Sequence, residues 1–246
     1  MKLALENAKD FKKSIDGIAV LIDEAEFLVN EEGLTLKATD PSQISMVDFL
    51  LPKEAFKEFK IEEQVKLGVD VDYLRQIMGR AKDSDQVVLA LNDEKTSLEL
   101  QFLGTSRKKF RLPLIDVSQT EIPTPKIDFT AEVKLKAALF QDALKDAELV
   151  SSHVTLGATN QGFYVEASSS RGTMHNETPK EQLISSTISE EARVMFSLEY
   201  LSDMVKTASS DTELTLLLRS NAPIKIVYNV GNARLAYFLA PRMETE

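Results

Sequence analysis

Two hydrophobic periods run along this chain. Apolar residues three and four apart mark one face of a helix. Phe11, Ile15, Ile18 and Ile22 fall on such a face, and so do Leu135, Leu139, Ala143 and Ala147. Two shorter runs share the spacing: Val71, Leu74, Ile77 and Met78, then Leu198, Leu201, Met204 and Val205. The rest alternates with period two, as half-buried strands do. Leu34, Leu36 and Ala38 share a face opposite Thr35 and Lys37, and Phe163 and Val165 alternate with Tyr164 and Glu166. The same pattern predicts strands over 87–91, 98–102, 109–115, 214–218, 224–228 and 236–239. Turn chemistry separates them at Glu31-Glu32-Gly33, where glycine is free to take positive φ, at Asn92-Asp93-Glu94 and at Ser220-Asn221-Ala222-Pro223. These elements predict an α+β fold of antiparallel strands with two helices per half, packed on one side of the sheets.

The pattern occurs twice. Phe11-Lys12-Lys13-Ser14-Ile15 precedes Glu32-Gly33-Leu34-Thr35-Leu36-Lys37-Ala38 as Phe140-Gln141-Asp142-Ala143-Leu144 precedes Gln161-Gly162-Phe163-Tyr164-Val165-Glu166-Ala167, at an offset of 129. Tyr73-Leu74 echoes Tyr200-Leu201, and the run 87–91 echoes 214–218, both at 127. Four echoes in one order at a nearly constant offset point to duplication. The halves are expected at 1–117 and 128–246, joined by a connector over 118–127 whose Pro123 and Pro125 suit neither helix nor central strand.

Composition narrows the function. The 246 residues carry 29 Lys and Arg against 39 Asp and Glu, a net charge of −10, and no Cys. Disulfides, thiolate nucleophiles and zinc-thiolate sites are thereby excluded. The first ten residues lack the apolar core of a signal peptide, and no apolar run is long enough to span a membrane. Taking the helices as 9–16, 72–82, 134–146 and 199–206, ten basic side chains stand against seven acidic ones, although the last window alone is net acidic. A positive helical surface on an acidic chain is expected, suited to phosphates held without sequence readout.

Catalytic motifs are missing. His153 and His175 stand in no metal-ligand or acid–base pattern. Gly157-Ala158-Thr159-Asn160-Gln161-Gly162 has the glycine spacing of a phosphate loop, but Phe163 occupies the position of its lysine. Carboxylate pairs such as Asp93/Glu94 and Glu190/Glu191 read as solvated surface, and Asn176-Glu177-Thr178 matters as a glycosylation sequon only in a secreted protein. No enzyme activity, metal or cofactor is expected. A carboxylate-dependent hydrolase is the enzyme alternative, and it requires two carboxylates converging in a cleft.

Three segments resemble the proliferating cell nuclear antigen (PCNA) family of DNA sliding clamps, most closely its archaeal members. They are Leu36-Lys37-Ala38-Thr39-Asp40-Pro41-Ser42-Gln43-Ile44-Ser45-Met46-Val47, Asp116-Val117-Ser118-Gln119-Thr120-Glu121-Ile122-Pro123 at the start of an interdomain connecting loop, and Tyr237-Phe238-Leu239-Ala240-Pro241-Arg242. The resemblance covers the whole chain. It implies a duplicated clamp domain and a trimeric ring that encircles duplex DNA, with helices lining the hole. Such a ring is a processivity factor and binding platform, is opened by a separate ATP-driven clamp loader, and is not itself an enzyme. The implied partners are duplex DNA, further copies of the subunit, and DNA polymerase, clamp loader, nuclease and ligase through short peptide motifs, with no membrane. The implied location is the cytoplasm, associated with the nucleoid, for an archaeal chain, and the nucleus for a eukaryotic one. A checkpoint-type clamp subunit is the alternative within this fold.

The resemblance also implies sites. DNA-facing residues are Lys12, Lys13, Arg75, Arg80, Lys145 and Lys206. The partner-peptide pocket comprises Thr39, Gln43, Ile44, Met46, Thr120, Ile122, Pro223, Phe238, Ala240 and Pro241, with Thr39 and Thr120 smaller than the apolar residues common there. The subunit interface pairs Arg107, Lys108, Lys109, Phe110 and Arg111 on one edge strand with Thr173, His175 and Glu177 on another.

Overall fold

Alternating and helical stretches assemble into two units in the structure, a computed structural model that describes residues 1–117 and 122–242. The first unit takes the described residues of Met1–Pro41, Val47–Ile122 and Val230–Leu235, and the second those of Ser42–Met46, Pro123–Asn229 and Ala236–Glu246.

The first copy of the motif runs β1 (Lys2–Leu5), α1 (Lys9–Ala19), β2 (Glu24–Asn30), β3 (Gly33–Thr39), β4 (Ser45–Pro52), a 3-10 turn (Lys53–Ala55), β5 (Glu58–Lys60), β6 (Val65–Asp70), α2 (Val71–Met78), β7 (Gln86–Leu91), β8 (Ser97–Leu103) and β9 (Arg107–Pro113). The second repeats that order without omission: β10 (Ala131–Lys136), α3 (Ala137–Glu148), β11 (His153–Thr159), β12 (Gly162–Ser169), β13 (Gly172–Pro179), a 3-10 turn (Lys180–Gln182), β14 (Ser185–Ile188), β15 (Ala192–Ser197), α4 (Leu198–Val205), β16 (Glu213–Leu218), β17 (Ile224–Val230) and β18 (Ala233–Leu239). Strand order repeats too. β5-β1-β7-β8-β9 corresponds to β14-β10-β16-β17-β18, and β4-β3-β2-β6 to β13-β12-β11-β15.

Each core forms where the helices' apolar faces meet the strands. In the first unit Phe11 from α1 and Leu74 from α2 converge with Phe27, Leu34, Leu67, Leu89 and Leu98. In the second, Phe140 from α3 meets Phe163 from β12 edge-on at 5.9 Å. Removing such side chains from water supplies the main driving force, about 1.5–3 kcal/mol for each large apolar group. The helices pack in pairs, α1 on α2 and α3 on α4. Asp70 caps α2, its carboxylate accepting from the Tyr73 amide at 2.7 Å. Gln141 ties α3 to the end of α4 by donating to the carbonyls of Val205 and Ala208 at 2.8 and 3.0 Å.

One turn is built the same way twice. Gly33 takes φ +140°, as its sequence position predicts, and a Cβ there would run into the Leu51 carbonyl. A Cβ on its counterpart Gly162 would meet the Thr178 carbonyl. Beside them the Lys53 amide donates to Glu32 O at 3.0 Å and the Lys180 amide to Gln161 O at 2.8 Å.

The structure moves the helix boundaries and so corrects the charge expectation. α1 ends at Ala19, leaving Ile22 buried beyond it, and Leu135 belongs to β10, opposite Leu214. Lys134 and Lys136 are strand residues because Val133 and Leu135 alternate with them into the core. Arg80 and Lys82 lie past α2, and Lys206 lies past α4. The helices proper hold five basic side chains (Lys9, Lys12, Lys13, Arg75, Lys145) and eight acidic ones (Asp10, Asp16, Asp72, Asp142, Asp146, Glu148, Glu199, Asp203). They are net acidic, not positive.

Candidate functional site

Three surfaces collect the residues singled out in the sequence. The first is the exposed side of the helices. Lys12 and Lys13 are half-buried on α1, and Arg75 is exposed on α2, held by Asp72 Oδ1 at 2.6 Å. Burial pushes the Asp16 carboxyl above its usual range, opposed by the charges of Arg75 and Lys12. One carboxylate thus sits within the field of cations from both helices. Arg80 is exposed just beyond α2. In the second unit Lys145 pairs with Asp142 at 3.2 Å on α3. Burial and the neighbouring Glu199 raise the Asp203 pKa, while Lys206 lowers it.

The second surface gathers around the segment before β4. Gln43 is exposed with φ +57°, and the Ile44 side chain is 40% exposed. The Ala240 amide donates to the Ile44 carbonyl at 2.8 Å, which brings the loop and the C-terminal segment together. Met46 and Phe238 are buried, and Lys225 Nζ lies 5.2 Å from the centroid of the Phe238 ring. Pro223 and Pro241 are half-buried in the same unit. Thr39 and Ile122 are half-buried in the first unit, and Thr120 lies outside the described residues. Of this set, Ile44, Gln43 and the half-buried prolines offer surface, whereas Met46 and Phe238 support it from beneath. Nearby, the Tyr228 hydroxyl donates to Met204 O at 2.8 Å and lies 2.9 Å from Thr207 Oγ1 and 3.4 Å from the Tyr237 hydroxyl. Burial pushes both phenols above the ordinary tyrosine range.

The third surface is a pair of sheet edges. β9 ends the strand order of its sheet and β13 ends that of its own. On β9, Arg107, Lys109 and Arg111 point outward while Lys108 and Phe110 are half-buried. Lys109 and Arg111 both reach Glu99, at 2.9 and 3.4 Å. Phe110 stacks at a tilt on Phe102, 5.6 Å away. On β13, Thr173, His175 and Glu177 are exposed. His175 Nδ1 lies 3.0 Å from Glu166, and its ring stacks on Tyr164 at 5.4 Å. Sequence patterning missed β13 as a strand, because its exposed face is polar and its half-buried face holds only Met174, Asn176 and Thr178. The one available signal was the repeat, which places 172–179 opposite 45–52.

The acid–base candidates resolve into structure. The glycine run 157–162 is the end of β11 and its turn into β12, and the Tyr164 ring fills the space beside Gly157. Among the described residues no group of three His, Asp or Glu side chains is placed to hold a metal ion, and no helix is long and apolar enough to cross a membrane. What the arrangement offers is surface: helical cations, an apolar spot on the loop before β4, and two strand edges.

Comparison with known proteins agrees. The model of the PCNA N-terminal domain matches residues 1–121, and that of the C-terminal domain matches 123–243. The DNA polymerase sliding clamp of Methanococcus vannielii is 35% identical over 244 residues, covering 97% of this chain and 98% of its own. PCNA from Thermococcus kodakaraensis superposes with a TM-score of 0.94 at 26% identity, over 98% of this chain and 99% of that one. PCNA of A. fulgidus, solved with the C-terminal region of FEN-1 bound, gives 0.91 at 30% identity, over 100% and 99%. The chain belongs to the proliferating cell nuclear antigen family, the DNA polymerase sliding clamps.

Proposed function

We propose that this chain is one subunit of a closed homotrimeric ring that encircles duplex DNA, slides without reading sequence, and tethers DNA polymerase and other replication and repair enzymes to the template. The observation that carries the ring is the pair of free edges. β9 and β13 are the counterparts of β18 and β4, whose flanking residues Ala240 and Ile44 already join by a backbone hydrogen bond. Pairing β9 of one subunit with β13 of the next repeats that join between molecules. Such a head-to-tail contact closes a ring when its rotation permits, and it covers edges that otherwise invite aggregation. Arg107, Lys108, Lys109, Phe110 and Arg111 meet Thr173, His175 and Glu177 there.

Within the ring, Lys12, Lys13, Arg75 and Arg80 supply salt-sensitive phosphate contacts. Gln43, Ile44, Pro223, Ala240 and Pro241, supported by the buried Met46 and Phe238, receive a short partner peptide with apolar anchors, and the resemblance assigns Thr39, Thr120 and Ile122 to the same pocket. The A. fulgidus relative holds a FEN-1 segment, which supports this class of ligand. Residues 1–117 and 128–246 act as the two clamp domains, and 118–127 as the loop between them. The chain works by topology and tethering and not by turnover; a separate ATP-driven loader opens it, and it resides with the DNA in the cytoplasm. Tethering raises a partner's effective concentration at the template with no new contact to DNA.

Light scattering over a concentration series tests the ring. A mass near three times 27.4 kDa is expected. A 27.4 kDa species at every concentration sinks the homotrimer.

A further inference from the structure

The duplication allows the two helix pairs to be compared position by position. Phe11 and Phe140 occupy the same buried place in α1 and α3, which sets the offset there at 129; Leu74 and Leu201 set it at 127 between α2 and α4. Across that register the cations of the first pair disappear. Lys9 becomes Ala138, Lys12 becomes Gln141 and Lys13 becomes Asp142. Arg75 becomes Ser202, Arg80 becomes Thr207, Lys82 becomes Ser209, and Gln76 becomes Asp203. Three positions change the other way, Asp10 to Leu139, Asp16 to Lys145 and Gly79 to Lys206.

Pairing deepens the contrast. Two of the three acids of the first pair lie beside its own cations: Asp72 is held by Arg75 at 2.6 Å, and Asp16 sits in the fields of Arg75 and Lys12. Lys9 and Lys13 on α1, and Arg80 and Lys82 just past α2, add four further cations to this surface. In the second pair Lys145 is engaged by Asp142 and Lys206 lies beside Asp203. Asp146, Glu148 and Glu199 remain exposed. Gln141, where a lysine stands in the first copy, is turned inward onto the carbonyls of α4. The outermost stripe of α3 reads Leu139, Asp142, Asp146, Leu149, with Leu149 70% exposed.

We infer that only the α1–α2 surface holds duplex phosphate, and that the α3–α4 surface repels it. This rests on the clamp reading above. A duplex inside such a ring rides against the first units and stands off the second, so contacts come from alternate helix pairs and not from the whole wall. Phosphate attraction scales with the cations presented, and a net acidic face contributes repulsion instead.

The absence of cysteine makes a direct test clean, because one introduced thiol is the only thiol. Val20 and Leu149 are matched positions at the ends of α1 and α3, both uncharged. Full-length Val20→Cys and Leu149→Cys are each labelled with azidophenacyl bromide. Each is threaded onto a linear duplex whose ends are then blocked with streptavidin, and irradiated at 50 mM and 200 mM salt. A crosslink yield from position 20 at least about tenfold above that from position 149, falling with salt, is expected. Equal yields, or the larger yield from position 149, overturn the division while leaving the clamp reading in place. No crosslink from either position, on DNA shown to be blocked at both ends, overturns the clamp reading and the division with it. A second variant sharpens the outcome. Asp146→Asn, Glu148→Gln and Glu199→Gln together are expected to raise the yield from position 149 several-fold; an unchanged yield removes repulsion as the cause and overturns the inference.

Discussion

The β3–β4 and β12–β13 hairpins are the same element of the repeat, and they have diverged in one turn. The offset between copies is 129 up to the starts of β3 and β12 and 127 from β4 and β13 to β8 and β17, so a net two residues are lost inside this hairpin, β12 being one residue longer than β3 and its connection three shorter. Five residues, 40–44, join β3 to β4, and only two, 170–171, join β12 to β13. The longer loop puts Gln43 at positive φ, exposes Ile44 and lets its carbonyl receive the Ala240 amide. The shorter turn passes through Gly172 at φ +142° into β13, the end strand of its sheet. The strands that follow differ accordingly. β4 buries Met46, Val47, Phe49 and Leu51, whereas β13 buries only Thr178. A length change of two residues and a swap of apolar for polar side chains separate a loop joined to the C-terminal segment from a turn into an end strand. Both hairpins rest on a shared foundation, the glycine turn that follows β2 and β11.

Breaking that foundation has the largest expected effect. Gly33→Val drives a branched side chain into the Leu51 carbonyl and forces β-branched backbone into positive φ. It is expected to cost about 3 kcal/mol or more. Gly162→Val meets the Thr178 carbonyl without the φ penalty and costs about 1–2 kcal/mol less. Urea unfolding of both variants checks the ranking. Equal destabilisation removes the φ argument. Next in size is the contrast between neighbours in the long loop. Met46→Ala empties buried space and is expected to lose about 2–4 kcal/mol of stability. Ile44→Ala leaves stability within about 0.5 kcal/mol. It is expected to weaken binding of a peptide carrying a glutamine and apolar anchors about tenfold by calorimetry. Normal peptide affinity in Ile44→Ala removes the loop from the partner site.

The two hairpins also show what could be read from the chain beforehand. Gly33, Leu34, Leu36 and Ala38 were legible because alternation and turn chemistry are local properties. So was the duplication, since Phe11 and Phe140 keep equal spacing to Gly33 and Gly162. β13 was not, because its exposed face is polar and it buries only Thr178. The helix charges were misread for a related reason. Lys134 and Lys136 sit at helical spacing from the run that follows, yet Val133 and Leu135 pair across β16, and the ladder wins over the periodicity. Ile44 and Met46 look alike in sequence. The structure separates them, exposing Ile44 beside the C-terminal segment and burying Met46.

A subtler effect is expected from charge on the free edge. Glu177 is exposed on β13, among residues proposed to meet Arg107, Lys109 and Arg111 of another copy. Glu177→Lys is expected to raise the dissociation constant of the ring about tenfold, more at low salt than high, by sedimentation. Lys37→Glu, on the strand β3 of the other hairpin, is expected to leave assembly unchanged. Equal effects from the two reversals place the interface elsewhere.

The smallest expected effect lies in the strand that follows each hairpin. On β5, Glu58 is held by Lys2 at 2.7 Å and Lys60 at 2.6 Å. These ammonium groups lower its pKa from 4.5 to about 2, chiefly through hydrogen bonds from Lys2 and Lys60. The counterpart strand β14 reads Ser185-Ser186-Thr187-Ile188 and carries no carboxylate. The folded pKa lies below the unfolded one, so the stabilisation is complete above about 4.5 and is lost as pH falls toward about 2. Amide protection in the β1–β5 ladder should therefore fall with acid over that range more than protection in the β10–β14 ladder. Glu58→Gln should abolish the difference. A difference that survives in Glu58→Gln assigns the acid sensitivity of the first copy to some group other than this ion pair.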